Sequence, residues 1–392
     1  MTTEEFISQH RGEPVTKLAL SIPASADIDV PRVLRQIAGW QRLRSKVPSW
    51  AECDGIEYPG HLPLEQCSSE AAARYKAEVV RALDFPQRTL TDLTGGLGVD
   101  FSFLAPLFIK ARYVERQADL VMLACHNLPL LGVKNADFIE GDTLDYLREM
   151  APADLLFLDP ARRDATTGRK TVRLADCEPN VVELLPLLRR KSTVILLKLS
   201  PMLDLKRTME ELDCPMEPHI FAYGGECKEL LLVLHNRAPR DTLIHRAEDN
   251  HRFTFTLQDE AAARPTYLAD VATGSYLYEP GPALLKAGAY RITATRYGLG
   301  KLHPNSHLYI AAQCVENFPG RRFEVIRTSS FAKRELRAFT TGYTAANIAV
   351  RNFPASVAEL RKRLGVREGG EEYWFATTLA DGRRMLIACR KV

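Results

Sequence analysis

The sequence predicts an α/β fold: a doubly wound sheet of six parallel strands plus an antiparallel seventh, with a helical region before it and smaller α+β modules after it. Short apolar runs alternate with helical stretches from residue 88 onward, which is typical of a parallel sheet with right-handed crossovers. Two β-rich runs, His219–Tyr223 and Leu230–His235, are joined by a turn at Gly224-Gly225, which indicates a hairpin and an antiparallel last strand. A glycine-rich turn also separates the first strand from its helix.

The chain of 392 residues is too long for one ordinary core. We divide it into a helical region (1–67), an α/β domain (68–238), a small α+β module for which a ferredoxin-like fold is one interpretation (239–320), and a second α+β domain (321–392). The net charge of +3 neither demands nor excludes a polyanionic partner, and it leaves the oligomeric state open.

Cysteine spacing and hydropathy restrict the class of protein further. The eight cysteines form no C-x-x-C pair, so we expect reduced thiols and no metal site. The N-terminus lacks the apolar core of a signal peptide, and no apolar run approaches the roughly 20 residues of a membrane span. These patterns predict a soluble, cytoplasmic protein without a membrane partner.

Apolar spacing and capping residues assign the elements in order. Asp29 caps a helix with apolar positions from Val30 to Trp40, a proline-rich connector runs from Pro48 to Pro63, and a helix covers Ala71–Leu83. The strands of the α/β domain are predicted at Thr89–Leu93, Ala111–Glu115, Asp137–Glu140, Asp154–Leu158 and Thr193–Leu199. Its helices are predicted at Phe101–Ile109, Ala118–Leu128, Asp176–Arg189 and Leu203–Leu212.

The C-terminal part is predicted from the same patterns. Strands are expected at Phe253–Leu257 and Tyr290–Thr295 in the small module. The last domain is predicted as a strand, a helix, a strand, a helix and a closing hairpin, at Phe323–Arg327, Phe331–Phe339, Ala345–Arg351, Ser356–Leu364, and Tyr373–Leu379 with Arg384–Cys389.

The turn after the first strand is the first candidate site. It brings backbone N–H groups close to a ligand, as turns for dinucleotides and for S-adenosylmethionine both do. A dinucleotide fingerprint expects a third glycine where this chain has Phe101, which weakens the NAD interpretation. The candidate residues at this turn are Asp92, Thr94, Gly95, Gly96, Gly98, Val99 and Asp100.

Acidic residues also follow the next three strands, and strand carboxyl ends share one rim of such a sheet. Glu115 is placed to accept hydrogen bonds from ribose hydroxyls, and Asp142 to contact an adenine edge. Asp159 can accept an N–H from an amine that is to be methylated, with the Pro160 carbonyl as a second acceptor. Other polar residues are interpreted as packing, caps or a solvated turn: His126, Ser68, Ser69, Glu226 and Glu229.

The stretch from Asp92 to Asp100, followed by Val114-Glu115-Arg116, resembles class I S-adenosylmethionine-dependent methyltransferases of nucleic acids, which have a Rossmann-like sheet. It is similar to the D-x-T-x-G-L-G-x-D signature of bacterial small-subunit rRNA guanine-N2 methyltransferases. The whole chain also resembles a bacterial group with a C-terminal THUMP-like domain. The resemblance covers about 68–235 and 321–392.

The resemblance implies S-adenosylmethionine as cofactor, contacted at Val99-Asp100, Glu115-Arg116, Asp142-Thr143 and Asp159. The chain departs from the family after Asp159-Pro160, where base-modifying relatives have an aromatic residue that stacks on the target base. Here Ala161-Arg162 follows, and the guanidinium plane of Arg162 is a candidate substitute for that ring.

Two locally basic regions favour RNA as the partner. Residues 161–173 carry five basic residues and one acid, and residues 319–366 carry ten and three. The candidate RNA-binding residues are Arg163, Arg169, Lys170, Arg321, Arg322, Arg361, Lys362 and Arg363. We therefore expect methyl transfer to a base amine of structured rRNA or tRNA, with guanine N2 favoured. A small-molecule methyltransferase and a non-catalytic RNA-binding protein are the alternatives.

Overall fold

A computed structural model of the protein describes residues 2–22, 28–162, 173–235, 243–248 and 251–392. The chain divides into two compact units. The first comprises Met1–Pro218 with Lys228–Arg240, and the second comprises His219–Cys227 with Asp241–Val392. None of the helices in these described ranges combines the length and the apolar composition that crossing a bilayer requires.

The first unit begins with helices, as predicted. Asp29 caps the third helix by accepting a hydrogen bond from the Arg32 backbone N–H at 3.0 Å, and Ser69 caps the sixth through the Ala72 N–H at 3.3 Å. Two short helices lie within the predicted proline-rich connector. The helices are α1 (Thr3–His10), α2 (Val15–Ser21), α3 (Val30–Lys46), α4 (Pro48–Ala51), α5 (His61–Gln66) and α6 (Glu70–Ala82).

Strands and helices then alternate along the α/β domain. They are β1 (Thr89–Asp92), α7 (Val99–Leu104), β2 (Lys110–Glu115), α8 (Ala118–Leu130), β3 (Ala136–Glu140), α9 (Thr143–Glu149), β4 (Ala153–Leu158), β5 (Ala161–Arg162), β6 (Cys177–Glu178), α10 (Val181–Lys191), β7 (Ser192–Leu199), α11 (Leu205–Leu212), β8 (Met216–Tyr223) and β9 (Glu226–His235).

Within the first unit the strand order is β9-β7-β4-β1-β2-β3. The five strands from β7 to β3 pair in parallel, and β9 pairs antiparallel with β7, so the predicted antiparallel strand is confirmed. Helix α10 begins at Val181 and not at Asp176, because Cys177 and Glu178 pair as β6 with Arg162 and Ala161 of β5.

The part of β8 from His219 onward pairs in parallel with the strand Leu243–Glu248. The second unit contains this part of β8 and the rest of the chain. Its elements are β10 (Leu243–Glu248), β11 (His251–Thr256), α12 (Leu257–Ala262), β12 (Tyr276–Pro280), α13 (Pro282–Ala287), α14 (Arg291–Arg296), β13 (Gly300–Lys301), β14 (Tyr309–Ala311), β15 (Gly320–Ser330), α15 (Lys333–Thr340), β16 (Asn347–Arg351), α16 (Val357–Leu364), β17 (Glu372–Thr378) and β18 (Arg384–Lys391). A sheet runs in the order β13-β14-β12-β15-β18-β17-β16.

The predicted strand Tyr290–Thr295 is wrong, because this stretch forms helix α14. The side chain of Glu260 accepts hydrogen bonds from the backbone N–H groups of Arg291 and Ile292, at 2.8 and 2.9 Å. A carboxylate at a helix N-terminus satisfies N–H groups that have no partner within the helix. This cap comes from a residue 31 positions earlier, so local sequence patterns do not reveal it.

A buried ionic cluster joins three elements of the first unit. The Lys76 ammonium, which is fully buried on α6, lies 3.1 Å from the Asp100 carboxylate of α7 and 2.6 Å from the Glu229 carboxylate of β9. The Ser68 hydroxyl donates to Asp100 at 2.7 Å. Glu229 was predicted in a solvated turn, but β9 begins earlier than expected and carries it into the interior. We call these four residues the Lys76 cluster.

Replacing Lys76 by Met should lower the free energy of unfolding by about 3–5 kcal/mol, because it leaves two buried carboxylates without a counter-ion. Urea unfolding of the purified variant measures this loss. Lys206→Met, which removes an exposed lysine from α11, is the matched control and should change stability by less than about 0.5 kcal/mol.

Burial raises the pKa of Glu229, so protonation at low pH should relieve part of the damage in Lys76→Met. The stability deficit should therefore narrow as the pH falls from 7 to 5. A deficit that is the same at both pH values would contradict this account.

Candidate cofactor site

The glycine turn after β1 has a backbone shape that requires glycine. Gly96 and Gly98 have φ values of +56° and +83°, in the left-handed region that other residues rarely adopt. At Gly95 the restriction is space, since an added Cβ would lie 2.3 Å from a ring carbon of Tyr113. The turn therefore packs directly against the Tyr113 side chain of the neighbouring strand β2.

Two residues of β2 hold this turn in place. The Glu115 carboxylate accepts hydrogen bonds from the backbone N–H groups of Gly96 and Gln117, both at 2.9 Å. The Tyr113 hydroxyl donates to the Gly96 carbonyl. A carboxylate has about four lone-pair positions, and the Gln117 side-chain amide also donates to Glu115 at 3.5 Å, so Glu115 keeps acceptor capacity for at least one further hydroxyl group. This is the capacity that its predicted role as a ribose ligand requires.

The other predicted rim residues lie beside the turn. The Asp159 backbone N–H donates to the Thr94 hydroxyl at 2.7 Å, which fixes the end of β4 against the turn. The Thr143 hydroxyl donates to the Leu93 carbonyl at 2.6 Å, and Asp142 caps α9 through the Leu144 N–H at 2.8 Å. The carboxyl ends of three strands are thus joined by side-chain hydrogen bonds.

A cavity of about 1250 Å³ opens at this rim. Ligand pockets are typically about 300–1,000 Å³, so this space accommodates a cofactor together with part of a second molecule. Predicted site residues that line it are Thr94, Gly95, Gly96, Gly98, Val99, Asp100, Glu115, Arg116, Asp142, Thr143, Asp159 and Pro160.

Among the residues that the structure describes, the charged lining of the cavity is predominantly acidic. The acids are Glu65, Asp100, Glu115, Asp142, Asp159, Glu178 and Glu183, and the bases are Arg116, Lys198 and Lys228. An excess of carboxylates with few cations favours a positively charged ligand over an anionic one.

Three predicted cofactor residues also have partners within the protein. Asp92 lies beneath the turn and accepts a hydrogen bond from the Thr94 N–H at 2.9 Å, and its burial raises its pKa well above the usual range. Asp100 is shared between the cavity wall and the Lys76 cluster. Arg116, whose side chain is 62% exposed, pairs with Glu178 at 2.9 Å.

Sequence reasoning missed several lining residues. Lys198 on β7 forms an ion pair with Asp159, and its side chain is only 14% exposed. Burial alone would lower the pKa of Lys198, but the Asp159 carboxylate raises it above the ordinary value of a lysine. The sequence did contain a signal for this ion pair, namely a lysine inside an apolar strand, because a lysine with little exposed surface usually has a carboxylate partner. Helix α5 also lines the cavity, with Leu62, Pro63, Glu65 and Gln66.

Only five of the predicted RNA-binding residues lie in the part of the chain that the structure describes, and most of these five have partners in the same chain. The side chain of Arg162 and the residues Arg163, Arg169 and Lys170 lie outside the described residues. Four of the others contact groups of the same chain: Arg321 pairs with Glu279, Arg322 donates to the Glu316 carbonyl, Arg361 pairs with Glu368 and Arg363 donates to the Phe331 carbonyl. Lys362 is exposed.

Comparison with known proteins decides the family. The chain is similar over its full length to a crystal structure from Porphyromonas gingivalis W83 named as a methyltransferase, with 35% identity, 97% of that chain covered and a TM-score of 0.84. It is also 27% identical, over 78% of its own length and 80% of the relative's, to a Mycobacterium tuberculosis protein named as an uncharacterized S-adenosylmethionine-dependent methyltransferase.

The chain belongs to this family of S-adenosylmethionine-dependent methyltransferases. The expected activity class and cofactor are therefore confirmed. In the second unit of the methyltransferase, residues 276–319 match a ferredoxin-like domain and residues 320–391 match a THUMP domain-like family. The turn, the Glu115 carboxylate and the acidic cavity fit a cofactor that carries a ribose and a sulfonium charge.

Asp92→Asn should stabilise the methyltransferase at neutral pH. Folding raises the pKa of Asp92 above its unfolded value of about 3.9, so the ionised carboxylate is disfavoured in the folded chain. The raised pKa therefore stabilises the folded chain at pH values below the pKa of Asp92 in the unfolded chain. This stabilisation is lost as the pH rises through the pKa of Asp92 in the folded chain. Asparagine does not titrate, yet its side-chain oxygen can still accept from Thr94.

Urea unfolding of both proteins from pH 4 to pH 8 measures the effect. The stability of the wild type relative to Asp92→Asn should fall as the pH rises. A difference that stays constant across this range would show that the buried Asp92 carboxyl does not set the stability at this site.

Proposed function

We propose that this methyltransferase transfers a methyl group to a base amine of structured rRNA or tRNA, with guanine N2 as the favoured acceptor. The observation that carries the proposal is Asp159: its carboxylate is 35% exposed, lines the cavity, and follows β4 on the same rim as the glycine turn. A carboxylate in this position can accept an N–H bond from an amine and orient its lone pair.

S-adenosylmethionine supplies an electrophilic methyl group on a positively charged sulfur. The lone pair of the acceptor nitrogen forms the N–C bond while the S–C bond breaks and its electron pair stays on sulfur. Asp159 holds one N–H of the acceptor during this displacement and then accepts the proton that the alkylated nitrogen releases. The Pro160 carbonyl is the proposed second acceptor, and Glu115 the proposed ribose ligand.

Support for RNA comes from the second unit. Residues 320–391 match a THUMP domain-like family, and helix α15 within them presents Lys333, Arg334 and Arg337, all exposed, around a shallow depression. These three side chains supplement the predicted Lys362 as candidates for phosphate contacts, because they project from one helix over about one turn. Arg321 is a weaker candidate than predicted, since it already pairs with Glu279.

A small amine-containing molecule is the second candidate acceptor. The acidic lining favours it, because the seven carboxylates and three cations of the described lining attract an amine as well as a sulfonium. The cavity volume also leaves room for such an acceptor beside the cofactor.

Nucleosides from total rRNA and tRNA, compared by mass spectrometry between strains with and without the gene, should show the loss of one methylated nucleoside. RNA from the deletion strain should accept radiolabelled methyl groups from the purified enzyme. Asp159→Asn should lower the rate constant by about 10²–10⁴-fold, the usual contribution of one acid–base group. Asp145→Asn, an exposed acid on α9, is the control and should retain activity.

If the enzyme binds S-adenosylmethionine but leaves all RNA unmethylated, and instead methylates a component of a small-molecule extract, the second candidate replaces the first.

A further inference from the structure

Asp159 does not face the cavity alone. Its carboxylate is paired with the Lys198 ammonium, which comes from the neighbouring strand β7. Asp100 and Glu229 add to the negative potential at Lys198, and Asp159 adds to that at Asp92. The charged groups around this end of the cavity therefore come from six elements: Lys76 on α6, Asp92 on β1, Asp100 on α7, Asp159 after β4, Lys198 on β7 and Glu229 on β9.

The proposed reaction sets a requirement on these charges. The acceptor nitrogen must contact both Asp159 and the methyl group, so the carboxylate and the sulfonium face the same small region. An unpaired carboxylate there would attract the sulfonium. That attraction is strongest before transfer and weakens as the positive charge leaves the sulfur, so it would stabilise the ground state more than the transition state and slow the reaction.

We propose that Lys198 is a positioning residue for methyl transfer: its ammonium neutralises and orients Asp159, so that this carboxylate accepts the substrate N–H instead of acting as the counter-ion of the sulfonium. This inference rests on the proposed role of Asp159. The inference explains why a lysine with little exposed surface lies next to Asp159, the carboxylate that follows β4 and lines the cavity.

The charge balance can be tested without an acceptor. S-adenosylhomocysteine, the demethylated product, lacks the methyl group and its positive charge, so the ratio of the two affinities reports on the charge near sulfur. Lys198→Met leaves Asp159 unpaired and should strengthen S-adenosylmethionine binding roughly two- to fivefold, the effect of one partly exposed charge pair, with little change for S-adenosylhomocysteine.

The opposite substitution gives the opposite sign. Asp159→Asn leaves the Lys198 charge unpaired and should weaken S-adenosylmethionine relative to S-adenosylhomocysteine by a similar factor. The double variant should return the ratio to near the wild-type value, and so should Lys198→Arg, which keeps the charge. Isothermal titration calorimetry measures all of these affinities, and Lys206→Met serves as the control for loss of a lysine outside the cavity.

Methyl transfer provides the second readout. Lys198→Met should lower kcat by about 10- to 100-fold while its affinity for S-adenosylmethionine rises, and Lys198→Arg should recover most of the loss. If Lys198 had only a structural role, Lys198→Met would instead weaken the binding of S-adenosylmethionine and of S-adenosylhomocysteine together. If Lys198→Met fails to fold, the Asp159→Asn arm decides by itself.

An affinity ratio that does not change in Lys198→Met and Asp159→Asn would overturn the inference. Failure of the proposed function has a different signature: the wild-type enzyme would methylate no RNA, while the two affinity ratios would still shift in opposite directions.

Discussion

The turn from Thr94 to Gly98 depends on close packing against strand β2, and the rest of the site depends on that turn. Tyr113 and Glu115 are two residues apart, so their side chains point to the same face of the sheet. The Tyr113 ring occupies the space that a side chain at Gly95 would need, and the Glu115 carboxylate binds the next backbone N–H, that of Gly96. Displacing the turn would move Glu115, the proposed ribose ligand, and, through Thr94, the backbone of Asp159.

The positions of residues at strand ends were predictable. Glu115, Asp142 and Asp159 stand at strand ends, and the carboxyl ends of parallel strands share one rim, so strand assignment alone brings them together. The partner of Lys198, the burial of Glu229 and the cap of helix α14 were not predictable from local patterns. Each depends on a partner distant in sequence: Asp159 is 39 residues from Lys198, and Lys76 is 153 residues from Glu229. The pairing of Arg321 with Glu279 was not predictable for the same reason, because a basic run in the sequence does not show which of its residues have acidic partners.

The charge of the cavity lining differs in sign from the net charge of the chain. The chain carries a net charge of +3, yet the described part of the cavity lining has more than twice as many acids as bases. An acidic cavity suits a sulfonium cofactor and an amine acceptor but repels phosphate groups. Under the proposed function, an RNA substrate would therefore insert a base into the cavity and keep its phosphates outside it.

Lys76 and Lys198 each form an ion pair with a carboxylate that lines the cavity. Ion pairs in protein interiors seldom stabilise a fold more than well-packed apolar residues of similar volume, so stability alone does not account for Lys76 and Lys198. Under the proposed function, however, the Asp159 carboxylate lies near the transferred methyl group, and Asp100 also lines the cavity. Each carboxylate so placed must be compensated from behind by a cation. Lys76 compensates Asp100 together with Glu229, and Lys198 compensates Asp159. Under the proposed function, the two lysines are therefore a consequence of the chemistry at the rim, which the fold accommodates at some expense of stability.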